Sequence, residues 1–130
     1  FHDSCNVARA SRMGDTPGGQ FEIPRSIIKA VANKYVEMAP GTTHEATFCC
    51  GGGGGILTDE LLELRVKGAL PRMDALNQVV ERHGVNFMAT ICAICKAQFT
   101  KVLPYYKFNR GMVGGVHQLV STAIRLGSND

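Results

Sequence analysis

Apolar and polar positions along the chain change period several times, and each change marks an element. Ile27, Ile28, Val31, Tyr35 and Met38 recur at helical spacing behind Pro24, which suits a first helical turn, and Pro40–Gly41 closes the run. The spacing predicts a helix over 24–38. A longer stripe, Leu61, Leu62, Ala69, Leu70, Met73, Leu76, Val79 and Val80, runs to Gly84. Thr58 is its expected cap, Asp59, Glu60 and Glu63 suit its first turn, and Pro71 is expected to kink or split it. Val85, Phe87, Ala89 and Ile91 alternate over 85–91, the clearest strand. Weaker signals add a strand end and helical turn over 1–12, a buried strand over 46–49 and a helix over 93–103 stopped by Pro104. An extended piece near Met112 then leads into a last helix over 115–126, closed by Gly127. Gly and Pro mark 13–20 and 51–55 as loops. Strands alternating with helices predict an α/β fold, a small parallel sheet flanked by helices.

Five cysteines fall in three groups, Cys5, Cys49–Cys50 and Cys92–Cys95, each where a predicted strand gives way to a helix. In a parallel sheet such junctions share the carboxyl edge, where open α/β folds bind ligands. Three loops distant in sequence would then bring five thiols to one rim. Helix N-termini there lower thiol pKa values and offer N–H groups to anionic sulfur. Five thiolates exceed the four ligands of a structural zinc, and soft sulfur in surplus suits a multi-iron cluster. Gly51, Gly52 and Gly53, within the run to Gly55, would let the backbone approach bulky inorganic sulfide where a Cβ would clash. On the residues alone, a zinc site and a metal-free thiol–disulfide site stay open.

The balance of 45% apolar and 19% charged residues fits one globular domain over 1–130. A net charge of +3 from scattered Lys and Arg gives no reason to invoke nucleic acid. No apolar run reaches the roughly 18 residues of a membrane span, and no signal-peptide pattern is visible. An odd cysteine count without a secretory segment argues against a disulfide framework and for a reducing, cytosolic setting. The opening Phe1–His2–Asp3, without Met and close to the first cysteine, suggests a piece of a longer chain.

Other features have plainer readings. The glycine run lacks the Gly-Lys-Ser/Thr of a phosphate loop, and a thioredoxin-like role for Cys92 and Cys95 would leave Cys49 and Cys50 without a purpose. His2 and His117 read as packing or surface residues near the rim, and His44 and His83 as solvated. Arg9, Arg12, Lys96 and Lys101 read as solvated faces able to steer an acidic partner. Tyr105, Tyr106 and Phe108 read as core or subunit interface, and Met73 and Met88 as core.

His2–Asp3–Ser4–Cys5–Asn6, Phe48–Cys49–Cys50–Gly51–Gly52–Gly53 and Cys92–Ala93–Ile94–Cys95 resemble the cysteine-rich CCG domain of the heterodisulfide reductase family. The likeness runs over nearly the whole chain, including 18–25 and 63–71. Within the family it is most similar to the C-terminal part of DsrK-type subunits of the sulfite-reduction-associated complex DsrMKJOP. The CCG pattern alone is also similar to lactate- and glycolate-oxidation iron–sulfur subunits. The resemblance implies a non-cubane 4Fe-4S cluster held by Cys5, Cys49, Cys50, Cys92 and Cys95, with Ser4 where the family often has proline. It implies an oxidoreductase that cleaves, or reversibly forms, a disulfide or trisulfide on a small DsrC-type sulfur-carrier protein. Electrons would come from a quinone-linked haem membrane subunit through clusters upstream in the same polypeptide. The location implied is cytoplasmic, held at the membrane by partner subunits. A non-catalytic electron-transfer module and a zinc-stabilised interaction domain are the rival readings.

Overall fold

The computed structural model describes residues 1–124; the last two residues of the predicted final helix, and its stop Gly127, lie outside them. Beside a separate hairpin of β1 (Arg12–Met13) and β2 (Thr16–Pro17), the sheet is organised around β3 (Met88–Thr90). It pairs in parallel with β4 (Val113–Gly115), Met88 opposite Val113 and Thr90 opposite Gly115. A parallel bridge from His2 to Thr90 adds the amino-terminal segment, and the His2 amide donates to the Ala89 carbonyl at 2.9 Å. Helices cover both faces, so β3 is buried throughout. Met88 joins the core formed with α2 (Leu62–His83) and α3 (Ala93–Val102), among Met73, Leu76, Phe99 and Val102. Ala89 points the other way, into a smaller core with Phe1, Ile28 and Val116, under α1 (Glu22–Val31) and α4 (Val116–Ala123). The α/β class and the parallel sheet are as expected.

Several elements differ from the pattern-based reading. The strand over 85–91 contracts to three residues because its partner is no longer. A 3₁₀ turn over Arg110–Met112 precedes β4, and α4 begins at once after Gly115. The first helix ends at Val31, not 38, because Arg25 donates from Nε to Glu37 at 2.8 Å. A continuous helix would set those residues about 18 Å apart along its axis, so the chain must fold back instead. No strand forms over 46–49. His44–Ala46 is a 3₁₀ turn, and the groups that follow bond to side chains rather than to a ladder. Residues 13–17, read as loop, join Arg12 in the antiparallel hairpin β1 (Arg12–Met13) and β2 (Thr16–Pro17), turning through Gly14 at φ +60°.

Helix α2 runs unbroken through Pro71 and stops at Gly84, whose φ of +65° suits glycine. Thr58 starts a 3₁₀ turn over Asp59–Leu61 and makes no side-chain cap bond. The buried face of α2 is Arg65, Ala69, Arg72, Met73, Ala75, Leu76 and Val79, while Leu61 and Leu70 are exposed. After α3, Pro104 sits in a 3₁₀ turn over Leu103–Tyr106. Tyr106 and Phe108 pack on the larger core, the Tyr106 hydroxyl donates to the Val66 carbonyl, and Tyr105 is exposed.

Candidate functional site

Three segments build the site. In the first, buried Ser4 caps a π-helical turn over Cys5–Arg9, accepting from the amides of Asn6 and Val7. Asp3, also fully buried, accepts from Arg25 Nη1 and Nη2, each at 2.7 Å, and from the His44 amide at 2.8 Å. The Asp3 carbonyl accepts from Thr47 Oγ1 at 2.8 Å, which ties the first segment to the second, the extended stretch that carries Cys49 and Cys50. That stretch is pinned again by Gln98, whose Nε2 donates to the Cys50 carbonyl at 3.1 Å while its Oε1 accepts from Arg65 Nε at 2.9 Å. The third segment is the start of α3, with Cys92 as its N-cap residue and Cys95 in its first turn.

These ties chain four thiols together. Cys49 lies close enough to Cys50 to affect its acidity, as Cys50 does to Cys95 and Cys95 to Cys92, and the Ser4 hydroxyl acts on Cys92 in the same way. Cys5 is half-buried, one residue beyond Ser4. All five are free thiols. The Gly51 amide donates to Cys49 Sγ at 3.3 Å and the Gly52 amide to Cys50 Sγ at 3.4 Å. Among the described residues, no three His, Cys, Asp or Glu side chains close on one point as ligands of a single metal ion.

The thiols differ in acidity. Burial works to raise Cys92, but the amides of Cys95 and Ile94 at the helix start, with the Ser4 hydroxyl, outweigh it and lower the pKa. Contact with Cys50, and then burial, push Cys49 up. Cys50 is pushed up to about 12: Cys49 works to lower it, and Cys95 and burial prevail. Cys92 is therefore the readiest thiolate of these three.

The predicted strand-to-helix setting holds for Cys92, and Cys5 enters a helical turn shortly after the His2 bridge. It fails for Cys49 and Cys50, which follow no strand and precede α2 by a long loop. The glycines also divide. A Cβ on Gly51 would lie 2.7 Å from both the Ala69 amide nitrogen and the Arg65 carbonyl oxygen, so its first constraint is the approach to α2. A Cβ on Gly52 would stand 3.3 Å from Cys50 Sγ, whereas one on Gly53 would meet the Ile56 side chain and no sulfur.

Sequence reading missed the buried polar frame of Asp3, Arg25, Thr47, Arg65, Arg72 and Gln98. A signal existed for two of these: Arg65 and Arg72 fall in phase with Ala69, Met73 and Leu76 on the apolar stripe of α2. Lys96 and Lys101 line a shallow cleft of about 410 Å³ with Ala93, Ala97, Thr100 and Arg110, beside the start of α3. Arg9 and Arg12 are exposed. A cavity of about 630 Å³ lies at the other end of β3, lined by Phe1, Tyr35, Val79, Phe87 and Leu119 among others, and no cysteine borders it.

His44 is not simply solvated: its ring packs edge-on to Phe21, and Nε2 lies 2.8 Å from Glu22. His2 is fully buried edge-on to Phe99, with neither ring nitrogen hydrogen-bonded. Burial, then the field of Arg72, lowers its pKa well below 6.5. The unfolded chain therefore binds a proton that the folded chain refuses, and this part of the stability is lost as pH falls below about 6.5. The urea midpoint should drop between pH 7 and pH 5, and His2→Phe should flatten that slope; equal slopes in both proteins would contradict a neutral, buried His2.

Residues 1–100 match the family described as "CCG: Cysteine-rich domain", a span that holds all five cysteines and ends within α3. The chain belongs to the CCG cysteine-rich domain family. It is 44% identical over 126 residues to a protein of Archaeoglobus profundus named "Hdr-like menaquinol oxidoreductase iron-sulfur subunit", matching 97% of this chain and 21% of that protein. A protein of Archaeoglobus fulgidus named "Hdr-like menaquinol oxidoreductase iron-sulfur subunit 2" is 43% identical over 124 residues, 95% of this chain and 21% of its own length. A "Probable membrane-anchored ferredoxin" of Chromohalobacter salexigens is 26% identical over 95% of this chain and 16% of its own. The chain thus spans about a fifth of these relatives or less. No solved structure matches it. The CCG match stops before β4 and α4, so the strand that pairs with β3 comes from beyond the matched span.

Proposed function

We propose that this CCG domain is the reaction domain of a heterodisulfide-reductase-like iron–sulfur oxidoreductase subunit. In this reading Cys5, Cys49, Cys50, Cys92 and Cys95 hold a non-cubane 4Fe-4S cluster, and residues 1–130 are one domain of a longer subunit. The observation that carries it is the run of four neighbouring thiols, faced by amide N–H groups from the glycine loop and from the start of α3. This donor set fits a sulfide-bridged group of several metal atoms. The thiols outnumber the ligands of one ion and run in sequence rather than round a point, and Gly52 leaves one flank of Cys50 Sγ bare.

When bound, such a cluster supplies electrons singly to sulfur. The names of the two Archaeoglobus relatives support menaquinol as the electron source. The resemblance to DsrK-type subunits supports a disulfide or trisulfide of a DsrC-type carrier as the substrate, in dissimilatory sulfur metabolism. For a disulfide the balance is two electrons and two protons for one S–S bond broken and two thiols formed. The electrons trace to menaquinol through partner subunits, a quinone-linked haem subunit among them, and the protons to water. This chain's residues hold the thiols in place through Asp3, Thr47 and Gln98, and direct N–H groups of Gly51 and Gly52 at sulfur, which favours its anionic form. No helix of the described residues is long and apolar enough to cross a membrane, and attachment through partner subunits in the cytoplasm is part of the proposal.

Iron, acid-labile sulfide and zinc, measured per chain on protein prepared without oxygen, test this reading. About four irons with matching sulfide are expected, falling by more than half in Cys50→Ala. One zinc without sulfide would overturn it. Likeness to the probable membrane-anchored ferredoxin supports a second reading, an electron-transfer module without bond chemistry. A loaded chain that exchanges electrons but leaves the disulfide of an oxidised DsrC-type carrier intact would fit that one.

A further inference from the structure

Arg72 is fully buried in the middle of α2, and every group its guanidinium meets is neutral. Nη1 donates to Met38 Sδ at 3.0 Å, and Nη2 to the Thr42 carbonyl and to Thr47 Oγ1. Nε has no partner, and the Phe48 ring centre lies 5.7 Å away. Arg25 makes the contrast: equally buried, it grips the Asp3 carboxylate with two nitrogens and Glu37 with two. Asp3 and Glu37, the carboxylates whose fields reach Arg72, are both held by Arg25. Burial draws Arg72 down to about 10, which marks a cation short of compensation.

Protein interiors pair such a charge with an opposite one, because an uncompensated buried ion is costly. The other anion-forming group whose field reaches Arg72 is the Cys95 thiol, and Phe48 joins the guanidinium directly to the Cys49–Cys50 stretch. We infer that Arg72 is the internal counter-cation of the thiol rim, balanced by the negative charge that Cys95 and its neighbours carry when they hold an iron–sulfur group, and that it raises the reduction potential of that group. This rests on the cluster reading above. Each electron added makes the group more negative, and a fixed cation in a low-dielectric interior favours the reduced form. Arg72 touches no reacting atom, so its role is electrostatic positioning.

The test compares three anaerobically reconstituted chains: wild type, Arg72→Gln, which keeps N–H donors without charge, and Arg72→Lys, which keeps the charge. Iron and sulfide are measured first; a wild-type chain that takes up neither overturns the cluster reading and this inference with it. In a dye-mediated redox titration of loaded protein, Arg72→Gln should shift the equilibrium about tenfold toward the oxidised form, about 59 mV for one electron. Arg72→Lys should stay near wild type. Coincident potentials for wild type and the Gln variant overturn the inference and leave the cluster reading standing. If the Gln variant takes up no cluster, urea unfolding of the metal-free chains decides. The inference expects the Gln variant to unfold no earlier than Arg72→Lys, which loses the same guanidinium bonds but keeps the charge. Earlier unfolding would make Arg72 a structural anchor and overturn it.

Discussion

Gly51→Ala should destabilise the chain by about 2–5 kcal/mol, measured as the loss of unfolding free energy in urea. Two effects add. At φ +87° a side chain costs about 1–2 kcal/mol in local strain. The new methyl would also lie 2.7 Å from backbone atoms of Ala69 and Arg65, inside a helix that has no soft side chain to move, and overpacking of this kind costs typically about 1–3 kcal/mol. Gly68, whose own Cβ would come within 3.3 Å of the Gly51 Cα, shows how closely the two segments approach. Gly54→Ala is the control. Its φ of +72° is equally unusual, but nothing lies within 4 Å, so only the strain should register. Equal losses for the two variants would show that backbone strain, and not the approach to α2, explains glycine at position 51.

Arg25→Met should cost about 3–5 kcal/mol, the range for removing one partner of a buried ion pair. Two Asp3 oxygens would lose their guanidinium and keep the His44 amide alone. Glu37 is about one-third exposed and can recover water, so most of the loss falls on Asp3. Asp3→Asn in the Arg25→Met background should return a substantial part of it, because the stranded charge is gone. A double variant no more stable than Arg25→Met alone would mean that the cost is lost packing of the arginine stem.

The site was legible in sequence to the extent that cysteines are few and their spacing is unusual. Where a strand or bridge does lead into a helix, at Cys92 and near Cys5, the periodic pattern placed the cysteine at the junction where it lies. It misplaced the surroundings of Cys49–Cys50 because that stretch is held by bonds its own residues do not announce. Gln98 and Arg72 lie far along the chain, and Thr47 reads locally as a strand former. The end of α1 was misread for a similar reason: nothing between Val31 and Met38 breaks a helix, and the reversal is set by Glu37 finding Arg25. Apolar periodicity reports which face is inside, but not which charges are carried in with it. On α2 and the turn before it, this left Arg65 and Arg72 unnoticed while Leu61 and Leu70 were assigned to the apolar stripe.

The ties of the Cys49–Cys50 stretch have a kinetic consequence. Cys92 and Cys95 ride on α3, whose amides are bonded within a helix packed on the core, and they separate from it only when the core itself opens. The Cys49–Cys50 stretch has no ladder; side-chain bonds from Arg9, Arg72 and Gln98 hold it, and Gly53, Gly54 and Gly55 follow with positive φ. Cys50 is itself buried in the core that holds Cys92 and Cys95, so the looser part is exposed Cys49 with the glycines beyond Gly51, a segment able to open locally below the cost of global unfolding. In the proposed reading, an iron–sulfur group would enter or leave past Cys49, without melting the domain.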